Sequence, residues 1–248
     1  MAGEGPGLKT WRLRLIPCRG HLSPMRAEEL AKRIDHAAVK PTTTAEDVRR
    51  ACEEAIRYGL RGVCVPPCYV ELASGFLRGS GVRLCAVVGF PFGFTLPEVK
   101  AREAELAMRL GASDIDMVMN ISALKSGLHE LVLEDIGGVV EAVKARGGVV
   151  KVIVEVCYLT EEELRHACEL AVEAGADFVK TSTGMGPGGA TIEAVRLMRA
   201  TVRDRAGVKA AGGIRTYERA IAMIEAGADL IGTSTPGAIL EAAGRNER

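Results

Sequence analysis

Residues 173–181 read EAGADFVKT and residues 225–233 read EAGADLIGT. Residues 110–118, LGASDIDMV, follow the same order, and 58–65, YGLRGVCV, follow it more loosely. In the first three a helix ends at Gly111, Gly175 or Gly227, where a left-handed closing turn costs glycine little. Alanine and an acidic residue come next, and then an apolar run with the character of a buried strand. The repeated phrase is therefore helix, turn, parallel strand.

Working outward, β-rich segments fall at 34–39, 62–65, 82–88, 114–119, 150–156, 177–182, 207–211 and 229–232. The first and last strand starts are separated by seven intervals of about 28 residues each, the length of a βα unit. Helices are predicted at 44–58, 97–110, 128–146, 160–174, 191–204 and 216–226. Thr44 with Asp47, and Thr160 with Glu163, have N-terminal capping spacing. Pro97 suits a first helical turn. Leu164, Ala167, Cys168, Ala171 and Val172 make the apolar stripe of a sheet-covering helix. Eight such units predict an α/β protein, a (β/α)8 TIM barrel. An open dinucleotide-binding sheet is the alternative, but no G-x-G-x-x-G follows the first strand, and GMGPGG at 184–189 is interrupted by Pro187.

Residues 1–25 are predicted as an N-terminal extension, broken by glycine and proline, and 26–244 as the barrel domain. The WRLRLI run of the extension suits either a surface tail or a short strand capping a neighbouring subunit.

The chain has 248 residues, 48% of them hydrophobic and 26% charged, as in an ordinary globular domain. Lys+Arg and Asp+Glu both total 32, and aromatic residues are only 4%. A zero net charge and few stacking rings argue against a nucleic-acid partner. Seven cysteines, mostly in apolar surroundings, suit free thiols in a reducing compartment. Cys64-x-x-x-Cys68 lacks a second pair, so no metal is expected. Neither a signal-like apolar region nor an 18-residue apolar span occurs, which predicts a cytoplasmic protein without a membrane partner.

Lysines are the unusual feature of the strands. Lys151, Lys180 and Lys209 each sit in a run that should be apolar in a parallel sheet covered on both faces. Alternation places Phe178, Lys180 and Ser182 on one face, Lys151, Ile153 and Glu155 on another, and Asp114, Asp116, Val118 and Asn120 on a third. Lysines facing carboxylates inside a barrel suit Schiff-base chemistry, which needs a neutral amine and a group to move protons. Lys180, in FVKTSTG, is the strongest nucleophile candidate. Gly212-Gly213-Ile214-Arg215 and Gly232-Thr233-Ser234-Thr235 offer backbone N–H groups, hydroxyls and a guanidinium for a phosphate, or are simply tight turns. His36 is either a proton carrier or a core histidine. Cys64 is a buried thiol unless it reaches the mouth. PFGFT at 91–95 is a mouth loop or packing.

These residues resemble the deoxyribose-phosphate aldolase family over about residues 30–242. The resemblance is carried by IDHAAVKP at 34–41, VCVPP at 63–67, VGFPFG at 88–93, GASDIDMVMN at 111–120, KVIVEV at 151–156, GADFVKTSTG at 175–184 and VKAAGGIRT at 208–216. It implies a cofactor-free class I aldolase that reversibly cleaves 2-deoxy-D-ribose 5-phosphate to D-glyceraldehyde 3-phosphate and acetaldehyde. Lys180 matches the Schiff-base lysine, and Lys209 the second lysine, which keeps the first neutral by like-charge repulsion. Asp116 matches the proton-shuttling carboxylate and Asp35 a further polar residue of the site. Lys151 and Cys64 match supporting positions. Gly184, Gly212, Gly213, Arg215, Gly232, Ser234 and Thr235 match the phosphate site. The resemblance also implies a homodimer or homotetramer. Met185 departs from members with a lysine there, and the closing GRNER lacks the tyrosine with which some members end. The competing readings are another Schiff-base barrel, transaldolase-like, and a barrel scaffold without catalysis.

Overall fold

Thr44 and Thr160 each accept a backbone N–H from the residue three places on, and that residue's carboxylate accepts the threonine N–H in return. These reciprocal caps start two of the helices that alternate with strands through the computed structural model, which describes residues 25–246. The strands are β1 (Ile34–Ala37), β2 (Gly62–Val65), β3 (Arg83–Val88), β4 (Asp114–Val118), β5 (Val149–Ile153), β6 (Phe178–Lys180), β7 (Gly207–Ala211) and β8 (Leu230–Thr233). They close into one parallel barrel in chain order, with β8 paired back onto β1. The anticipated (β/α)8 architecture is present.

The helices are α1 (Ala27–Ala31), α2 (Ala45–Tyr58), α3 (Val70–Leu77), α4 (Pro97–Arg109), α5 (Ile121–Lys125), α6 (His129–Lys144), α7 (Glu161–Glu173), α8 (Ile192–Val202), α9 (Tyr217–Glu225) and α10 (Pro236–Asn246). All six helices expected from the sequence form within a few residues of their predicted ends. Four more were not anticipated. Of these, α3 has no side-chain cap and carries Gly75, which leaves it a weak sequence signal. The repeated glycines 111, 175 and 227 all have positive φ.

Besides the run at 34–39, which ends at Ala37, two strands stop sooner than their sequence suggests. The run at 150–156 leaves the sheet after Ile153, and Glu155 turns left-handed at φ 51. The run at 177–182 leaves after Lys180. Both tails become loops at the carboxyl end of the barrel, where side chains can face a ligand.

Alternation separates two environments. Leu84, Ala86 and Val88 of β3 join the large apolar core beneath the helices, whereas Cys85 and Val87 form a small separate cluster with Cys64. Asp35, Asp114, Asp116, Lys151, Lys180 and Lys209 are all buried. The barrel wall is thus apolar outside and charged within. His36, next to inward-facing Asp35, points outward with Nδ1 3.4 Å from Glu54 of α2, and is a core histidine. Met25 packs on the core. The rest of the expected extension, with Cys18 and His21, lies outside the described residues. No helix among the described residues is long and apolar enough to cross a membrane.

Candidate active site

Strand pairing places Lys180 beside Lys209 and Asp116 beside Lys151. All four side chains converge inside the barrel. Lys180 Nζ donates to Asp116 Oδ2 at 2.7 Å, and Lys209 Nζ donates to the same oxygen at 2.9 Å. Lys209 also donates to Asp35 Oδ2 at 2.5 Å. Lys151 Nζ lies 2.9 Å from Asp116 Oδ1 and 2.7 Å from Asp114 Oδ2. Beneath them Arg61 bridges Asp35 and Asp114, donating to each at 2.8 Å.

Burial and attraction oppose each other at every one of these groups. Burial disfavours each carboxylate, yet the cations around Asp35, Asp114 and Asp116 hold all three below the ordinary range. Burial also opposes the charge on Lys209, but Asp116 and Asp35 hold its ammonium well above the usual value. Asp114 and Asp116 do the same for Lys151. Three carboxylates thus face three lysines and Arg61, one cation in excess. Arg83, a further partner of Asp114, is partly exposed. Lys180 is the lysine with a single carboxylate contact, and it alone of the three stands at a strand's carboxyl end. Without that contact Asp116 would still accept from Lys209 and Lys151.

Cys64 and Cys85 line the same space. Their sulfurs are 3.4 Å apart, and the Cys85 thiol donates to Asp116 Oδ1 at 3.0 Å. Burial pushes the Cys85 thiol well up, whereas its hydrogen bond to Cys64 draws that thiol down. Donor atoms of Cys64, Cys85 and Asp116 lie within 4.8 Å of one another, a spacing that could hold a metal ion. Both Asp116 oxygens already accept from ammonium groups, so a dication there would meet three cations.

Above Lys180, three loops meet at the carboxyl end. Gly184, Gly212 and Gly213 all have positive φ, which a side chain would resist. Ala190 N donates to Gly212 O, joining the loop after β6 to that after β7. Thr233 Oγ1 donates to Ile214 O at 2.7 Å and joins the latter to the end of β8. Arg215 and Ser234 are exposed and Thr235 half-buried, just before the N-terminus of α10. At Gly232 an added Cβ would sit 3.4 Å from the Lys209 chain and 2.9 Å from Ala211, so bulk there would press on the lysine.

The structure brings together every catalytic and supporting candidate from the sequence: Lys180, Lys209, Asp116, Asp35, Lys151 and Cys64. It seats the phosphate candidates on the adjoining loops, except Gly232, which lies within β8. Sequence reasoning gave no role to Cys85, Arg61 or Glu155. Cys85 was findable, since alternation in VRLCAVV puts it on the inward face. Glu155 accepts from Thr183 N at 3.2 Å and from its hydroxyl, and Thr183 Oγ1 in turn accepts from Met185 N at 3.0 Å. Its carboxylate, pushed up by burial, clamps the loop after β6. Ser182 Oγ is buried without a hydrogen-bond partner among the described residues.

A closed parallel barrel whose interior carries lysines sharing one carboxylate, beneath glycine-rich loops, defines an enzyme equipped for amine–carbonyl chemistry on an anionic small molecule. Comparison narrows the class. The chain belongs to the DeoC/LacD family of aldolases, whose model matches residues 22–247. It is 56% identical to the deoxyribose-phosphate aldolase of Caldanaerobacter subterraneus subsp. tengcongensis over 213 residues, covering 86% of this chain and 92% of that one. It is likewise 56% identical to the deoxyribose-phosphate aldolase of Thermococcus kodakarensis, covering 88% and 99%. Among solved structures, the tetrameric deoxyribose phosphate aldolase of Aeropyrum pernix superposes with a TM-score of 0.81 at 39% identity, covering 87% and 91%.

Proposed function

We propose that this chain reversibly cleaves 2-deoxy-D-ribose 5-phosphate to D-glyceraldehyde 3-phosphate and acetaldehyde through a Schiff base on Lys180. The observation that carries the assignment of roles is the shared oxygen: Lys180 and Lys209 both donate to Asp116 Oδ2. A nucleophile, a second cation and a proton acceptor meet there within hydrogen-bond reach.

Lys180 Nζ, as the free amine, adds to the C1 aldehyde of the open-chain sugar. Loss of water gives an iminium, which serves as an electron sink. A base takes the C3 hydroxyl proton, and the C2–C3 bond, the one β to the iminium, breaks. C3 leaves as the aldehyde carbon of glyceraldehyde 3-phosphate, and the bond's electron pair forms an enamine. Protonation at C2 and hydrolysis release acetaldehyde and restore the amine. Asp116 is the proton carrier, acting through water, and the persistent charge of Lys209 favours the neutral form of its neighbour. Asp35 holds Lys209, Lys151 holds Asp116, and Cys64 borders the reacting carbons. Gly184, Gly212, Gly213, Arg215, Gly232, Ser234 and Thr235 grip the phosphate, which orients the sugar without entering the bond chemistry.

The reading also includes a barrel domain at 26–244 with an extension at 1–25, a cytoplasmic location and assembly as a homodimer or homotetramer. The tetrameric deoxyribose phosphate aldolase among the similar structures supports the assembly.

The test is acetaldehyde followed by borohydride, read by peptide mass spectrometry. A reduced ethyl adduct of about 28 Da confined to Lys180 is expected. An adduct on Lys209 instead would reverse the two lysine roles. No adduct on a folded protein that also fails to cleave deoxyribose 5-phosphate would overturn the reading.

A further inference from the structure

The loop after β6 is tied down at both ends. At its start Val156 N donates to Thr181 O, and Thr181 Oγ1 donates to Ala211 O at 2.9 Å. At its finish Ala190 N donates to Gly212 O. Between those ties residues 183–188 read TGMGPG, with no charged side chain. Such a stretch offers an anion its backbone N–H groups and one hydroxyl, and its glycines leave the direction of those groups loose.

Glu155, from the loop after β5, supplies the missing direction. It is 2% exposed, and its carboxylate accepts both the N–H and the hydroxyl of Thr183. Because the hydroxyl proton goes to Glu155, the Thr183 oxygen is left to accept, and it takes Met185 N at 3.0 Å. The N–H groups of Thr183 and Met185 are therefore both committed. That of Gly184, between them, has no acceptor among the described residues. Gly184 itself turns at φ 82. Glu155 reaches this position against backbone preference, since it and Arg203 are the non-glycine residues with positive φ among those described. The two loops also interlock. A Cβ added at Gly186 would lie 3.0 Å from Cys157 Sγ and 3.5 Å from Glu155 Cδ. A carboxylate suits this task better than an amide. It has two accepting oxygens for the two Thr183 donors, whereas glutamine would turn its NH2 toward one of them.

We propose that Glu155 is a positioning residue: through Thr183 it fixes the turn that presents Gly184 N–H to the substrate's phosphate, and so sets the preference for a phosphorylated over an unphosphorylated sugar. The inference rests on the phosphate site of the proposed function.

The test compares cleavage of 2-deoxyribose 5-phosphate and of unphosphorylated 2-deoxyribose by the natural chain, Glu155→Gln, Thr183→Val and the double variant, with melting curves to show folding. Each single variant should lower kcat/KM for the phosphate ester about tenfold, mostly through KM, while kcat/KM for 2-deoxyribose stays within about twofold. The double variant should lose no more than either single one, because both break the same chain of bonds. Binding of inorganic phosphate, followed by calorimetry, should weaken by the same factor, and it reads the loop apart from any bond chemistry. A chain that binds phosphate in this Glu155-dependent way but cleaves neither sugar would sink the aldolase reading and keep the clamp. Equal losses on both sugars would show that Glu155 acts on Lys180 or on the barrel as a whole, and would overturn the proposal. Variants indistinguishable from the natural chain, or a natural chain that does not bind phosphate, would overturn it too. Should Glu155→Gln fail to fold, Thr183→Val decides the comparison.

Discussion

Asp116 is the residue on which the interior depends most, because both its oxygens accept from lysine: one from Lys180 and Lys209, the other from Lys151. Asp116→Asn should lower kcat by about 10²–10⁴-fold, the usual contribution of a positioned proton carrier, while KM changes little. Steady-state kinetics check this, with a melting curve to show that the variant is folded. Asp35→Asn, which loosens Lys209 but leaves the carrier in place, should cost less. The lysines and Asp116 were legible in sequence because charge in a strand covered on both faces breaks the apolar run. Cys85 and Arg61 were harder to see: a cysteine fits an apolar run, and an arginine before a strand looks like any surface residue. Glu155 was misplaced for a physical reason. Alternation put it on the inward face of a strand, but the backbone had already left the sheet and turned left-handed.

At the scale of elements, the barrel wall holds a second buried ion pair that sequence gave no hint of. Lys100 of α4 donates to Asp135 of α6 at 2.6 Å and to Val118 O, at the end of β4, at 2.9 Å. Burial draws Lys100 down and pushes Asp135 up, so both groups bear a desolvation cost that the other does most to offset. Lys100→Met should therefore destabilise the protein by about 3–5 kcal/mol, as expected when one buried charge loses its partner. The double variant Lys100→Met, Asp135→Leu should recover much of that. Urea unfolding measures both. A lone lysine and a lone aspartate on amphipathic helices read as solvated residues, and only the α4–α6 packing shows otherwise. Helices with a threonine cap and an apolar stripe were legible almost to the residue. α3 was not, because it opens without a capping side chain, is short and carries Gly75.

For the whole molecule, the interior network predicts how stability follows pH. Asp35, Asp114 and Asp116 sit below the ordinary 3.8 when folded, so their stabilisation is complete above that value and is lost as pH falls beneath it. Lys209 sits above 10.5 when folded, so its share is complete below 10.5 and lost as pH rises through the folded value. His36 is held below 6.5 by burial, so the unfolded chain takes its proton first and adds a shallow loss below 6.5. A melting temperature recorded against pH should show a plateau above 6.5, a gentle decline beneath it and a steep one below about 4. A steep decline centred near neutrality would contradict this network. The eight-strand count followed from the repeat, because a βα unit of fixed length can be counted, whereas closure cannot be read from any single unit. Closure has its own consequence for a chain emerging from a ribosome. Asp35 comes from the first strand and its partner Lys209 from the seventh, so their bond spans 174 residues. Until β7 has been made, aspartates and lysines destined for the interior have no complete set of partners, and water is their better host. A half-made barrel is thus held open by its own interior charges, and those charges become affordable only when the ring is nearly whole.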